Sequence, residues 1–201
     1  MTSMTTAPAP ASGLDYLFQK WRARLQLFLG LQAAATDTFE QMRARWPDDA
    51  YVLDSLAHLA AQEGHLTRAV QLLRRVLELQ PERAGAWFNL AFVLEQIPEA
   101  VEAEAAFRRA IELDGAIDRA WYGLGLCLIR QGRLEEAIEA LRQNTKMQPM
   151  SPYGWYQLAR VHVDLGQRDE AAKVIRHLEG FEPKIAAQLR RETGIGAGSK
   201  V

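Results

Sequence analysis

The stretch that decides the fold is residues 118–151, DRAWYGLGLCLIRQGRLEEAIEALRQNTKMQPMS. Its apolar residues recur every three or four positions on both sides of Gly132, a spacing that is typical of two amphipathic helices. Glycine tolerates the positive φ that ends a helix, so Gly132 is the predicted turn. Pro149 closes the stretch, because proline cannot continue a helix interior. The sequence therefore predicts a helical hairpin.

The same pattern returns along the chain at an interval of 34 residues. A small residue, a tryptophan, a turn glycine and a closing proline all recur: Ala69, Ala103, Ala137 and Ala171; Trp87, Trp121 and Trp155; Gly64, Gly132 and Gly166; Pro47, Pro81, Pro149 and Pro183. Pro98 stands in once for the glycine, and Gly115 once for the proline. A fixed period of this length indicates a repeat array, in which each hairpin buries its apolar face by stacking on its neighbours.

The composition excludes several classes of protein. With 24 basic and 25 acidic residues, the chain has no strong overall attraction to nucleic acid or to an acidic membrane. The single cysteine, Cys127, rules out an internal disulfide and a cysteine-based zinc cluster. No apolar run of about 20 residues predicts a spanning helix. The run at 25–31 is similar to a signal peptide, but Gln26 interrupts it, so a cytoplasmic protein is expected.

The aligned residues resemble the tetratricopeptide repeat. That family has Trp, Leu, Gly and Tyr on the first helix of each repeat, and Ala, Phe, Ala and Pro on and after the second. The third unit carries this pattern on Trp121, Leu124, Gly125, Leu128, Ala137, Leu141 and Pro149. The family's tyrosine is absent, and Asn144 replaces a small residue. The resemblance implies an all-α fold, a right-handed superhelix (α-solenoid) of antiparallel helix pairs with Trp121 in its core.

The period also sets the predicted domain boundaries. The four repeats are expected at 50–83, 84–117, 118–151 and 152–185, with extra N-terminal helices at 13–49 and a short capping helix at 186–194. Residues 1–12 and 195–201 are expected to be a disordered tail and a flexible tail, because neither has an apolar periodicity.

Residues 13–49 fit the repeat only in part. Counting back one period predicts that 37–46 is the second helix of a decayed repeat, with Asp37 and Glu40 as its capping box. The helix before it, over about 14–34, does not match the family but carries one apolar stripe: Leu14, Leu17, Phe18, Trp21, Leu25 and Phe28. We favour the interpretation that this helix caps the first repeat, since terminal repeats need covering. The alternative is a homodimer through residues 14–34.

No motif in the chain predicts catalysis, a metal or a cofactor. Of the four histidines, none has a second histidine three or four residues away that would pair with it as a ligand. His162 falls at the family's tyrosine position and is expected in the core, and Cys127 is expected to pack as a small apolar residue. The glycines after Gly194 have the wrong spacing for a phosphate-binding loop. The chain is therefore predicted not to be an enzyme.

The resemblance also implies a binding groove, because the first helices of such repeats line the concave surface. The positions that point into the groove are Tyr51, Asp54, His58, Phe88, Phe92, Arg119, Tyr122, Leu126, Arg130, Tyr153, Tyr156 and Arg160. Aromatic residues and arginine carry much of the binding energy of protein interfaces. The alternative is that some of these aromatic rings pack against neighbouring helices instead.

These observations favour a non-catalytic adaptor or scaffold that binds a peptide or helix of a protein partner in the groove, with no nucleic-acid partner and no membrane insertion. The alternative is a dedicated bacterial chaperone, similar to the repeat chaperones of secretion systems, that dimerises through its N-terminal helix. A remote alternative is an enzyme whose site lies between repeats.

Overall fold

The computed structural model describes residues 13–97 and 100–195, apart from the side chains of residues 100 and 101. Over this part of the chain the structure consists of eleven α-helices with no strand, which confirms the predicted all-α fold. The predicted tail at 1–12, the predicted tail at 195–201 apart from its first residue, and Pro98 lie outside the described residues. Ile195, the first residue of the second tail, is buried and not part of a flexible tail. The chain divides between Glu82 and Arg83 into two compact units.

The first unit contains two helical hairpins: α1 (Gly13–Phe28), α2 (Gln32–Arg45), α3 (Ala50–Gln62) and α4 (Leu66–Leu79). Each hairpin turns at a glycine in the left-handed region, Gly30 with φ of 74° and Gly64 with φ of 79°. The Asp49 side chain begins α3 by accepting a hydrogen bond of 2.9 Å from the Val52 backbone N–H. The two turn glycines lie 34 residues apart, which is the interval of the repeat.

The two N-terminal helices begin and end at other residues than the sequence suggested. The helix expected over 14–34 stops at Phe28, because Gly30 turns the chain one period before Gly64. The α2 helix then begins at Gln32, so Asp37 and Glu40 lie inside it and the predicted capping box is wrong. Ala23 on α1 and Ala35 on α2 are fully buried in phase with the recurring small residues. The first hairpin therefore follows the repeat period on both helices.

The apolar stripe of α1 does not cover the first repeat. Its six side chains are 50–86% exposed. Instead α1 packs on α2 through its opposite face, where Ala23 is buried and Tyr16 meets Trp46 edge-on at 5.1 Å between ring centroids. The stripe is therefore not the face through which α1 packs on its own chain, and the role of α1 as a cap of the first repeat stays a prediction.

The second unit contains three hairpins and a final helix: α5 (Ala84–Glu95), α6 (Ala100–Leu113), α7 (Asp118–Arg130), α8 (Leu134–Met147), α9 (Pro152–Asp164), α10 (Arg168–Glu179) and α11 (Pro183–Thr193). Gly132 and Gly166 turn the second and third hairpins with φ of 72° and 71°. The final helix begins at Pro183, three residues before the predicted cap, because proline suits the first turn of a helix.

Small residues set the approach of helices in the second unit. Ala103, Ala137 and Ala171 are fully buried. On α7, a Cβ added to Gly125 would lie 2.9 Å from the side chain of Leu141, within the same hairpin. A Cβ added to Gly123 would lie 2.3 Å from the ring of Phe107, in the hairpin before. Real Cβ atoms essentially never come so close to another atom, so alanine at either position would force the neighbouring side chain to move.

Asn144 shows how a larger residue replaces a small one in this packing. It is buried, and its amide donates a hydrogen bond of 3.0 Å to the backbone carbonyl of Asp118. On α9, Gly154 leaves the room for it, since a Cβ there would lie 2.2 Å from the Asn144 Oδ1 atom. The larger Asn144 is therefore accommodated by Gly154, at a position where the two preceding repeats have Ala86 and Ala120.

The recurring tryptophans are half-buried, so the prediction that Trp121 lies in the core is only partly correct. The Trp121 indole N–H donates to the Gly115 carbonyl at 3.0 Å, and the Trp155 indole N–H donates to the Pro149 carbonyl at 2.9 Å. Each ring thus fixes the loop that enters its own repeat, and its outer edge contacts solvent. By contrast, His162 is buried as expected, with Nδ1 2.6 Å from the Gln167 side-chain oxygen.

The glycine contact gives a test with a matched control. Gly123→Ala should lower the free energy of unfolding by about 1–3 kcal/mol, because the added methyl group overpacks the Phe107 contact. Gly85→Ala, on an exposed position of α5 with no described atom within 4 Å of the new Cβ, should be neutral or stabilising by up to about 1 kcal/mol. Urea unfolding measures both values. Equal stability of the two variants would contradict the assigned packing.

Candidate functional site

Two stacked phenylalanines on α5 form the apolar beginning of the candidate surface. Phe88 and Phe92 lie one helical turn apart, with ring centroids 6.3 Å apart and planes at 29°. Phe88 is half-buried, with its ring 6.2 Å from that of Phe107. Phe92 is 52% exposed. The inner ring therefore anchors the pair in the core, and the outer ring is available to a ligand.

Arg119, the second residue of α7, extends this apolar pair with a positive charge. Its guanidinium carbon lies 5.0 Å from the centroid of the Phe88 ring, which is a cation–π contact. The side chain is exposed, and no carboxylate pairs with it within residues 13–97 and 100–195. A stacked guanidinium keeps its N–H groups at the edge, where they can bind a carboxylate in a bidentate manner.

Tyr122 and Leu126 form the middle of the surface, on the next two turns of α7. Both are half-buried. Burial raises the pKa of the Tyr122 hydroxyl, against a hydrogen bond with Gln157 that lowers it. That hydrogen bond joins α7 to α9. Both side chains are therefore partly open to solvent, and Tyr122 also packs against the core of the last hairpins.

Arg130 has a structural role in addition to its predicted position on the surface. Its guanidinium Nη1 lies 3.1 Å from a carboxylate oxygen of Glu95 on α5, and its Nη2 lies 3.4 Å from the Cys127 sulfur. The ion pair connects two successive first helices. Burial raises the pKa of the Cys127 thiol, so this cysteine is a packed apolar residue.

At the other end of the surface, Glu192 of α11 contacts two of the predicted residues on α9. The Tyr156 hydroxyl donates a hydrogen bond of 2.8 Å to a carboxylate oxygen of Glu192, and the Arg160 guanidinium lies 3.7 Å from the same oxygen. The Gln188 amide donates to the other oxygen at 2.7 Å. Tyr153, one turn earlier, is 69% exposed. The last helix thus covers this end and leaves Tyr153 open.

The three predicted residues of the first unit all lie on α3. Tyr51 is half-buried, with the Phe39 ring edge-on at 6.0 Å and the Lys20 ammonium 4.3 Å from its own ring centroid. Asp54 is half-buried and His58 is exposed. The Tyr51 ring is therefore already covered by α1 and α2.

Two residues of the surface were missed by the sequence analysis. Gln157 and Glu192 hold Tyr122, Tyr156 and Arg160 in place, yet neither falls at a groove position of the repeat. Adding one 34-residue period to Tyr156 gives Arg190 and not Glu192. Arg190 instead pairs with Glu179 at 2.8 Å. Because α11 starts out of phase with the repeats, no count from the period finds Glu192.

The fold and this surface define a helical-repeat protein, and the comparisons identify the family. Models of the tetratricopeptide repeat match residues 55–116, 102–152 and 152–184, which together cover more than half of the chain. The chain therefore belongs to the tetratricopeptide repeat family, as its sequence predicted. No curated protein matches the sequence.

Solved structures agree with the family. A crystal structure of MamA has a TM-score of 0.73 at 23% identity, over 86% of this chain and 96% of that one. The structure of residues 41 to the end of MamA from Desulfovibrio magneticus RS-1 has a TM-score of 0.73 at 22% identity, over 87% of this chain and 94% of that one. YrrB, a tetratricopeptide repeat protein with an unusual peptide-binding site, gives 0.74 at 18%, over 84% and 88%. At these identities the likeness shows the fold alone.

No helix within residues 13–97 and 100–195 combines the length and the hydropathy that a membrane span requires.

The contact between α9 and α11 predicts a pKa change. Hydrogen bonds from Gln188 and Tyr156 lower the pKa of the Glu192 carboxyl, so the ionised form is the one that the site holds. Tyr156→Phe removes one donor and should raise this pKa toward the ordinary glutamate value of about 4.3. Carboxyl-detected NMR across a pH titration measures the change. Tyr153→Phe, on the same helix without this contact, is the control, and an unchanged Glu192 pKa in Tyr156→Phe would contradict the geometry.

Proposed function

We propose that this protein is a non-catalytic adaptor that binds a peptide or helix of a partner protein on the first helices of its second unit. The observation that carries the proposal is the contact of exposed Phe92 and of Arg119 with the Phe88 ring, which joins α5 to α7. Tyr122 and Leu126 follow on the next two turns of α7. Aromatic and arginine side chains at the centre of an interface supply most of its binding energy.

The chemistry of this surface favours one kind of ligand. The exposed ring of Phe92 and the half-buried edges of Tyr122 and Leu126 suit apolar side chains of the ligand. The guanidinium of Arg119, held on Phe88, suits a carboxylate beside them. The expected ligand is therefore a peptide in which an acidic residue is adjacent to aromatic or aliphatic residues.

The proposed site excludes the end of the surface that α11 covers. Tyr156 and Arg160 are engaged by Glu192, and Arg130 is engaged by Glu95. These three residues are proposed to support the site, whereas Phe92, Arg119 and Tyr122 contact the ligand. Participation of Tyr51, Asp54 and His58 from the first unit stays a prediction from the family resemblance, as does the cytoplasmic location.

A known protein of the same fold supports this kind of role. YrrB is described as having a peptide-binding site, so helices stacked in this manner are able to present one. Its identity to this chain is 18%, and the proposed residues are therefore taken from the surface of this chain and not transferred.

The test begins with peptides selected from a random library on the full-length protein. The dissociation constants of the selected peptides are then measured by fluorescence anisotropy for Phe92→Ala and for Arg119→Ala. Each side chain is exposed, so the variants should fold normally. If these residues are hot spots, each substitution should cost about 2 kcal/mol or more, or about 30-fold in affinity.

Matched controls come from the exposed residues Met150 and Arg142, which lie outside the first helices. Met150→Ala removes a similar apolar area, and Arg142→Ala removes the same charge. Both should leave the affinity unchanged within about twofold, as expected of surface substitutions away from the site. The proposal fails if the control variants weaken binding as much as Phe92→Ala and Arg119→Ala, or if no variant weakens it.

One observation favours the alternative of a dedicated chaperone, namely that the apolar stripe of α1 is open. A chaperone should keep an aggregation-prone client in solution, whereas an adaptor need not. Co-expression of the protein with a co-purifying partner separates the two functions: the partner stays soluble alone if the protein is an adaptor, and aggregates alone if it is a chaperone.

A further inference from the structure

The largest concentration of exposed apolar side chains lies at the start of the described chain. Nine of the twelve large apolar residues that are exposed among the described residues fall within 14–31. Six of them form the α1 stripe: Leu14, Leu17, Phe18, Trp21, Leu25 and Phe28. The stripe lies opposite Ala23, the residue through which α1 packs on its own chain. Within residues 13–97 and 100–195, no other helix covers this face, and Arg24 of α1 itself lies 4.9 Å from the centroid of the Trp21 ring.

The area of the stripe is that of a stable interface. An aromatic side chain buries about 150–250 Å². Three aromatic and three leucine side chains, each at least half exposed, offer on the order of 800 Å², which is what one partner contributes to an interface of standard size. Monomeric proteins rarely expose so large an apolar patch without a binding role.

The spacing of the stripe predicts that its partner is a helix. Leu14, Phe18, Trp21, Leu25 and Phe28 follow one another at intervals of four, three, four and three residues. These are the intervals of the core positions in a coiled coil, where side chains of one helix insert between those of another. Arg22 and Arg24 are exposed on the two sides of this seam, and Asp15 lies at its start.

We infer that the partner is the α1 helix of a second copy of this chain, packed antiparallel. In an antiparallel pair, core positions of the two different kinds meet across the seam. One such register packs Phe18 on Trp21 of the second copy, and Leu14 on Leu25. The same register brings Asp15 beside Arg22 of the second copy, and the two-fold axis repeats this opposite-charge pair.

The charges select this register over its alternatives. Shifting the pair by one heptad packs Phe18 on Phe28 of the second copy, but then Arg22 faces Arg22 and Arg24 faces Arg24. A parallel pair places Arg22 beside Leu17 and Arg24 beside Leu29, with no ion pair. Within its own chain, Asp15 is paired with Arg45, so Arg22 of the second copy adds a second cation to a carboxylate that is already held in place.

The first test is the oligomeric state of the full-length chain by sedimentation velocity over a range of concentrations. The wild type should be a dimer, and Trp21→Glu should weaken the dimer at least about tenfold, because it places a charge in the centre of the seam. Gln41→Glu, at an exposed position of α2, adds the same charge away from the seam and should leave the dimer intact. A monomeric wild type, or a dimer that Trp21→Glu retains, would overturn the inference.

The second test addresses the register by disulfide cross-linking. An equimolar mixture of Leu14→Cys and Leu25→Cys chains should give a cross-linked dimer under mild oxidation, and a mixture of Phe18→Cys and Phe28→Cys chains should not. The native Cys127 is buried and does not interfere. Cross-linking only in the second mixture would overturn the register. Binding of a monomeric wild type to phosphatidylglycerol vesicles, lost in Trp21→Glu, would assign the stripe to an anionic lipid surface instead.

Discussion

The close approach of paired helices at small residues is the contact on which the rest of this structure depends. Alanines at the recurring position are fully buried in both units, and on α7 two glycines lie directly against the side chains of Leu141 and Phe107. The helices approach at these points because no side chain separates them, and larger neighbours then interlock above and below. A single hairpin cannot bury those neighbours, so each unit is stable only as a stack. The 34-residue period is the sequence record of this geometry.

This packing divides the work between the helices of a repeat. The apolar side chains of the second helices in the middle repeats, such as those of α8, are buried between stacked repeats. By contrast, α5 and α7 keep aromatic and arginine side chains at the surface. Part of that surface is used internally: Arg130 joins α7 to α5, and Glu192 holds Tyr156 and Arg160. The remaining residues, centred on Phe92 and Arg119, form the proposed ligand site. In the part of the chain that the structure describes, the open stripe of α1 is not covered by another helix, and it forms the proposed contact to a second copy.

The sequence predicted those features that repetition determines. The buried alanines, the turn glycines and the family follow from the period, and all are confirmed. Where the period is only partly kept, single contacts decide the structure. Gly30 ends α1 although the surrounding residues suit a longer helix, and the Trp121 indole N–H turns toward a loop carbonyl. Glu192 belongs to a helix that does not follow the phase of the repeats, so its contact with Tyr156 could not be predicted from the period. The ligand-contacting residues on α5 and α7 stay predictions.

The most direct measurement of the central claim is the free energy of urea unfolding of Ala137→Leu, compared with Ala105→Leu. Ala137 is fully buried at the recurring small position of α8, whereas Ala105 is exposed on the outer face of α6. Overpacking should cost Ala137→Leu about 1–3 kcal/mol or more. The surface variant should stay within about half a kcal/mol of the wild type. Equal stability of the two variants would contradict the claim that small side chains at this position hold the helices together.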